Sequence, residues 1–471
     1  MTASKNLWPQ QVEDLGFALA NPRSMNLSEP GTGKTGTAAV LTYMKWIDDG
    51  KKTIWVQPNH LRYKNRRELL AFTDFAPTDV EVFEKATDTL GVRKRKAEPR
   101  ANQHTGVIDY IASSPAKVFV VGFTFLRRFY AELLAHHPDI GLVVVDEGHL
   151  GYKNNGSQTT RALYDLMRSV PDYYYMTGSP IDGRLDNVFP HIHIIEPNYY
   201  GSYAGFIRQH AGFIDNYNKV TWWTNEDKVR SILADHSVRR TWKEIHGDQT
   251  RDTRIVPVDM MPEMRAAYDE FGNLAVLELE NFILDGTNPG VATIRSRQIM
   301  GHPETMLLCR NEISGKDQML MGYAEEAADT GGGLCVFASL KAEVERNAQI
   351  LRNAGLRVGM MHGDISPKMR DKIDQMYQDG SLDAVACTPA VASTGYNWQR
   401  SKHMVYTSLD YQDSNLEQSI KRGERELRDE PLRVSILEYE NSVDQAIRKV
   451  IAKKDALAQS ILGESDDVST D

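Results

Sequence analysis

Cysteine is scarce in this chain, with only Cys309, Cys335 and Cys387 among 471 residues. They stand too far apart for metal-ligand spacing, and three thiols make no disulfide framework. A cysteine-ligated zinc site and a disulfide-stapled fold are therefore not expected, and a reducing compartment is, with the thiols acting as small buried apolar groups. The segment Met1 to Gln11 lacks the basic start and apolar stretch of a secretory signal. No apolar run approaches the roughly 18 residues needed to span a bilayer, so a soluble cytoplasmic protein with no membrane partner is expected. Positive charge is not in excess either: 55 Lys plus Arg stand against 64 Asp plus Glu, a formal charge of −9. That excludes attachment to a polyanion by bulk charge, although not through a local basic groove.

What is present is ordinary globular composition, 41% apolar and 25% charged, over a length that suits about two to four domains. Short apolar runs recur at Thr53 to Val56, Val118 to Phe123, Leu142 to Val145, Tyr173 to Met176, Leu334 to Phe337, Ala384 to Cys387 and Val434 to Leu437. They are continuous rather than alternating, as expected of strands covered on both faces. Helical periodicity fills the gaps, for example over Thr37 to Asp48, Leu340 to Ala354 and Ser366 to Gln378. Strand followed by helix, repeated, predicts parallel α/β sheets, and the pattern occurs twice, over roughly 25–195 and 333–440. Residues from about 200 to 330, with a periodic stretch at Met264 to Leu284 and tryptophans at 222, 223 and 242, read as a mostly helical insertion. Val443 to Leu462 reads as a helix with one buried face, and the acidic tail 463–471 as disordered.

Ser28 to Thr35 reads SEPGTGKT between an apolar segment and a helix, the form of a phosphate-cradling loop. Gly31, Thr32 and Gly33 would turn backbone N–H groups toward phosphates, Lys34 would place a charge on the outer phosphates, and Thr35 would offer a hydroxyl to Mg²⁺. Ser28 stands where Gly or Ala is usual, and a Gly-rich turn capped by Thr35 is the structural alternative. Further on, four apolar residues run into Asp146-Glu147-Gly148-His149. An acidic pair at a strand end lets Asp146 hold Mg²⁺ and Glu147 polarise an attacking water. Late in the second block, Gln418, Arg422 and Arg425 lie on one stretch, LEQSIKRGERE, with the arginines on one helical face. Standing alone it would be a solvated basic surface; paired with a phosphate loop, its arginines can stabilise a transferring phosphoryl group when two lobes close.

Taken together these motifs resemble the Swi2/Snf2-like group of superfamily 2 helicase-type ATPases. LWPQQVEDLGFAL, residues 7–19, is similar to the family's opening segment and would make Gln11 the reader of adenine. SEPGTGKT and VVVDEGH resemble motifs I and II, with Lys153, Asn154 and Ser157 similar to the extension after motif II. YMTGSPI resembles motif III, with Ser179 where Thr is commoner, and Pro197 to Phe206 resembles the stretch that follows it. SVRRTWK (237–243) and RQIMGHP (297–303) are similar to the family's helical signatures, CVFASL to motif IV, and Gly395 with Asn397 to motif V. Gln418, Arg422 and Arg425 fit motif VI. Lys421 replaces a common Gly, Ala392-Ser393-Thr394 replaces a Gly-rich approach, Arg428 to Glu430 lacks the usual Gly-Gln, and Trp398 replaces an aliphatic residue, where core packing is the expected role.

The resemblance implies an α/β fold of two RecA-like, doubly wound parallel-sheet lobes with helical insertions. Lobe 1 would span 1–265, including an insertion at about 200–250, and 266–462 would hold a helical insertion, lobe 2 and the terminal helix. It implies ATP and Mg²⁺ as ligands, with catalytic Lys34, Glu147, Arg422 and Arg425. Nucleotide would be held by Gln11, Gly31, Thr32, Gly33, Lys34, Thr35, Asp146, Gly395 and Gln418, and metal by Thr35 and Asp146. DNA phosphates would be met by Pro58, Asn59, Thr124, Ser339 and Thr394, with little sequence specificity. The basic run Arg93 to Lys96 and the pair Trp222-Trp223 are further DNA candidates, with a solvated helix face and a buried helical insertion as their alternatives. The expected function is an ATP-driven translocase on double-stranded or branched DNA, a minimal motor of the kind carried by a phage or its bacterial host. A strand-separating DNA or RNA helicase and an inactive scaffold are the alternatives.

Overall fold

Each continuous apolar run forms a strand whose successive side chains enter opposite, equally buried faces. In the computed structural model Ile54 and Val56 lie in one core and Trp55 in the other; Val143 and Val145 likewise oppose Leu142 and Val144. The structure describes residues 6–83, 100–152, 155–178, 185–215, 220–247, 251–274, 276–279, 282–285, 289–301, 313–331, 333–392, 396, 398–410, 413–424 and 431–462. Two units divide the chain, the first made of 1–245 and 456–471, the second of 246–455.

In the first unit β1 (Arg23–Asn26), β2 (Lys52–Gln57), β3 (Val80–Phe83), β4 (Val118–Gly122), β5 (Ile140–Val145) and β6 (Asp172–Met176) precede a small antiparallel ribbon. That ribbon is β7 (Ala211–Ile214) with β8 (Val220–Trp223), and β9 (Ser237–Val238) follows it. The main sheet has seven strands in the order β3-β4-β2-β5-β6-β1-β9, every neighbouring pair parallel. The helices Pro9–Ala20 and Lys34–Asp49 cover one face through Leu15, Ala18, Ala38, Ala39 and Leu41. Phe123–His136 and Gln158–Ser169 cover the other through Leu126, Phe129, Leu133, Leu163 and Leu166.

The second unit contains β10 (Arg251–Val258), the hairpin β11 (Val276–Leu279) and β12 (Phe282–Asp285), then β13 (Gly333–Phe337), β14 (Val358–Met361), β15 (Ala384–Cys387), β16 (Ser401–Tyr406) and β17 (Leu432–Tyr439). Its sheet has six strands ordered β10-β17-β16-β13-β15-β14, again all parallel. Cys335 and Cys387 are free thiols inside it. Trp398 is fully buried, its ring stacked on Tyr396 and its Nε1 donating to Asp374 Oδ1 at 3.0 Å, so it packs in the core.

The stretch from about 200 to 330 departs from the helical expectation. The helix begun at Pro262 ends at Leu274, and β11 and β12 occupy the remainder of the periodic stretch. Short apolar runs fit helix and strand templates equally, and strand pairing decided here. Trp222 and Trp223 sit on the ribbon rather than in a helical insertion: Trp222 is 67% exposed, while Trp223 packs on the first core. Residues 251–258, read from sequence as part of lobe 1, pair along their whole length with β17 and so fall in the second unit. The run Arg93 to Lys96, Cys309 and the tail 463–471 lie outside the described residues.

His403 on β16 gives the second unit a pH dependence. Its Nε2 lies 2.8 Å from Ser435 Oγ and its ring meets Tyr323 edge-on. Burial, with Arg433 nearby, lowers its pKa to about 4. Between about pH 6.5 and 4 the unfolded chain binds the proton that native His403 refuses. The associated stability is complete above pH 6.5 and is lost as pH falls through that window, by about 2–3 kcal/mol. Urea unfolding of His403→Gln should show a correspondingly smaller loss between pH 7 and 4.5; an unchanged pH slope would assign the effect to another group.

Candidate functional site

Because all strands of the first sheet run one way, the segments after β1, β2, β4, β5 and β6 emerge along one edge. The phosphate-type loop follows β1, Pro58 and Asn59 follow β2, Thr124 follows β4, and Asp146 and Glu147 follow β5. In the loop, Gly31 and Gly33 adopt φ of +88° and +90°, the left-handed region that a side chain disfavours. The 16-residue helix Lys34–Asp49 starts at Gly33 without a side-chain cap, leaving its positive end toward the loop. Lys34 Nζ donates to the carbonyls of Ser28 at 2.5 Å and Glu29 at 2.9 Å, so its charge is held within the loop. Thr32 Oγ1 donates to Glu29 O, and Thr35 is half-buried in the first helical turn.

Gln11 is 3% exposed and is tied to this loop: its Nε2 donates to Gly33 O at 2.7 Å and its Oε1 accepts from Trp8 N at 2.7 Å. An amide has two N–H groups and two acceptor lone pairs, so one donor and one acceptor position remain, the pair that adenine's N7 and N6 edge would need.

Asp146 is buried at the end of β5. Asn65 Nδ2 donates to its Oδ2 at 2.6 Å and also to Gln57 Oε1, and Glu147 N donates to its Oδ1 at 3.0 Å. Burial first, then the neighbouring Glu147 charge, raise the Asp146 pKa to about 6, against the lowering pull of Asn65, Lys64 and Lys34. Glu147 has φ +47°, a strained conformation for a non-glycine residue, and its Oε2 is buried without a hydrogen-bond partner, 3.6 Å from His149 Nδ1. His149 Nδ1 also lies 2.8 Å from Thr177 Oγ1 beyond β6. Asp146 and Glu147 are two adjacent carboxyl groups, the kind of oxygen donor a divalent cation takes, although no group of three or more such residues is gathered among the described residues.

The roles of several residues here could not be read from the sequence. Asn65, which orients Asp146, sits in a helix whose pattern reads as ordinary. Arg240 joins the loop to the first helix: its N donates to Ser28 Oγ at 2.9 Å, its Nε to Asp14 Oδ1 at 3.1 Å and its Nη2 to Glu13 Oε2 at 2.8 Å. Trp242, 7% exposed, lies against Gly31, where a Cβ would collide with its ring, and its N donates to Glu29 Oε2 at 3.0 Å. The segment Ser237 to Lys243 is thus an edge strand and the start of a short helix, rather than helical throughout.

Of the proposed DNA contacts in this unit, Asn59 and Thr124 are exposed and Pro58 is buried; the neighbouring pair Gln57 and Gly122 in the β2–β4 register brings these loops together. The Asn59 side chain fills the space over Gly122. In the second unit Ser339 follows β13, its Oγ 2.8 Å from Ser408 Oγ, which in turn donates to buried Glu343 at 2.6 Å. Gln418 and Arg422 are both buried near the end of the helix Asp413–Ile420, and the Gln418 Nε2 has no hydrogen-bond partner among the described residues. Arg425, Thr394, Gly395, Asn397, Lys153, Asn154 and Ser179 lie outside the described residues.

Residues 316–426 match the helicase conserved C-terminal domain. The chain is similar to the human DNA annealing helicase and endonuclease ZRANB3, 22% identical over 431 residues, covering 89% of this chain and 37% of that protein. It is also similar to the uncharacterized ATP-dependent helicase YqhH of Bacillus subtilis strain 168, 20% identical over 372 residues, 74% of this chain and 64% of the relative. The chain therefore spans less than two thirds of the length of either. The Sulfolobus solfataricus SWI2/SNF2 ATPase core in complex with dsDNA aligns with 98% of this chain and 94% of its own at 19% identity and a TM-score of 0.42. Two all-parallel sheets, with a glycine turn after β1 and an acidic pair after β5, agree with the expected fold of two doubly wound α/β units. The sequence matches bear out the resemblance to helicase-type proteins.

Arg240→Ala tests the bracing of the site. It leaves Asp14, whose pKa burial already raises, without its cationic partner. Urea unfolding of the first unit should show a loss of about 2 kcal/mol, the scale of a hydrogen bond to a charged group. A change below about 0.5 kcal/mol would show that the pair contributes no more than an exposed one.

Proposed function

We propose that this chain is an ATP-driven motor on double-stranded DNA, acting in the cytoplasm of a bacterial or phage-infected cell without marked sequence specificity. The observation that carries the reading is the convergence of Lys34, Thr35, Asp146 and Glu147 at one sheet edge, with Gln11 hydrogen-bonded into the same loop. Gly31 to Thr35 and the helix start cradle phosphates, Lys34 exchanges its loop carbonyls for phosphate oxygens, and Gln11 reads the base. Thr35 and Asp146 would hold Mg²⁺, which when bound would neutralise charge on the phosphate oxygens. Glu147 positions the attacking water and takes its proton through Oε2. Arg422 and Arg425 are the proposed residues that stabilise charge on the transferring phosphoryl group. The DNA reading takes support from the motif resemblance and from ZRANB3, a DNA annealing helicase by name. Branched DNA is therefore a further substrate to examine. Pro58, Asn59, Thr124, Ser339 and Thr394 are the proposed phosphate contacts, and Gly395 and Gln418 complete the proposed nucleotide set.

Steady-state ATP hydrolysis measured with blunt duplex, single-stranded DNA and RNA tests this reading. Duplex should stimulate most, with apparent affinity falling steeply as salt rises through counterion release. A triplex-forming third strand should be displaced while plain duplex stays paired; efficient separation of a forked duplex without triplex displacement would favour a strand-separating helicase. Glu147→Gln should retain ATP binding and lose turnover, whereas wild-type turnover would assign water positioning elsewhere. Asn65→Leu should raise the magnesium needed for half-maximal hydrolysis by about 10–100-fold, the usual effect of removing a group that orients a metal ligand. An unchanged magnesium requirement would remove Asp146 from the metal site.

A further inference from the structure

Resting on the reading of Ser28 to Thr35 as a nucleotide loop, we infer that the segment Ser237 to His246 is a strap that senses phosphate binding. The signal passes to the chain just where it leaves the first unit, since the first segment of that unit ends at Ile245 and the second unit begins at His246. The strap is fastened to the loop residue by residue. Leu27 N donates to Val238 O and Glu29 N to Arg240 O, both at 2.9 Å, extending the parallel pairing of β1 with β9. Arg239 Nη1 donates to Leu27 O at 3.0 Å.

Two loop side chains then take up strap backbone donors: Ser28 Oγ accepts from Arg240 N at 2.9 Å and Glu29 Oε2 from Trp242 N at 3.0 Å. The Trp242 ring closes over Gly31. Ser28 stands where a phosphate loop usually has Gly or Ala, and neither of those could make the first bond. Its presence is explained by the strap rather than by the phosphates.

The transmission follows from Lys34, whose amino group is held by the carbonyls of the same two residues, Ser28 and Glu29. Phosphate oxygens compete for that amino group. When they draw it away, the two carbonyls lose a charged donor at the point where the strap is attached. Reorientation of either peptide moves Arg240 or Trp242 with it, because backbone polar groups in a buried setting keep their partners. Glu29 and Trp242 are positioning residues in this scheme: they act on phosphate through the loop.

Amide hydrogen exchange of the full chain, with and without magnesium ADP, tests the strap. In the wild type, exchange should slow several-fold both in the loop, residues 27–36, and in the strap, residues 238–246. Glu29→Ala should keep the loop response and lose the strap response, while Glu29→Gln, which still accepts from Trp242 N, should retain both. Ser28→Gly, a smaller change, should weaken the strap response in the same way if Glu29→Ala fails to fold. A wild-type loop that responds with an unresponsive strap would overturn the inference and leave the nucleotide reading standing. A strap response in Glu29→Ala and Ser28→Gly equal to that of the wild type would overturn it too. Absence of any ADP response in the wild-type loop would remove the nucleotide reading itself, and the strap with it.

Discussion

Parallel strand direction is the constraint on which the rest of the first unit depends. A parallel pair must be joined by a crossover, so every strand delivers its following segment to the same edge. Here that places the loop after β1, the acidic pair after β5 and Thr177 after β6 within reach of one another, although they come from distant parts of the chain. Reverse one strand and Lys34 and Asp146 would stand at opposite edges. The continuous burial of β2, β4, β5 and β6 fixes the sheet rigidly beneath them.

The edge so created is polar, and much of its cost is accepted locally. Asp146 is buried enough for its pKa to rise to about 6, and Glu147 holds a left-handed backbone with an unpartnered carboxylate oxygen. Such features are unfavourable in an isolated fold and would become favourable with the proposed cation and phosphates in place. Asn65, Gln57, His149 and Thr177 hold these groups in place, and Arg240 with Trp242 brace the loop from the side. None of them needs to touch a substrate to matter.

The strands and the glycine turn of SEPGTGKT were legible in the sequence because their signals are local. VVVDEGH is an apolar run ending in acids, and GTGKT needs its glycines at φ near +90°. What was not legible is pairing across long separations. Nothing local distinguishes Asn65 from any polar helix residue, and its role appears only when β5 lies beside β2. Arg240 and Trp242 lie more than 200 positions from the loop they brace, and their resemblance to a helical signature concealed an edge strand. Met264 to Leu284 misled for a different reason: its apolar spacing suits a helix, and the antiparallel pairing of β11 with β12 prevailed in its second half. Trp222, for which the sequence allows either DNA stacking or a buried helical insertion, is turned outward by the ribbon.

The central claim is that the edge after β1 and β5 binds a nucleotide through its phosphates. Isothermal titration of the DNA-free protein with a non-hydrolysable ATP analogue in magnesium measures this directly. One nucleotide per chain is expected for the wild type, and no detectable binding at the same concentrations for Lys34→Ala with its fold intact. Equal binding by the two proteins, or none by the wild type, would contradict it.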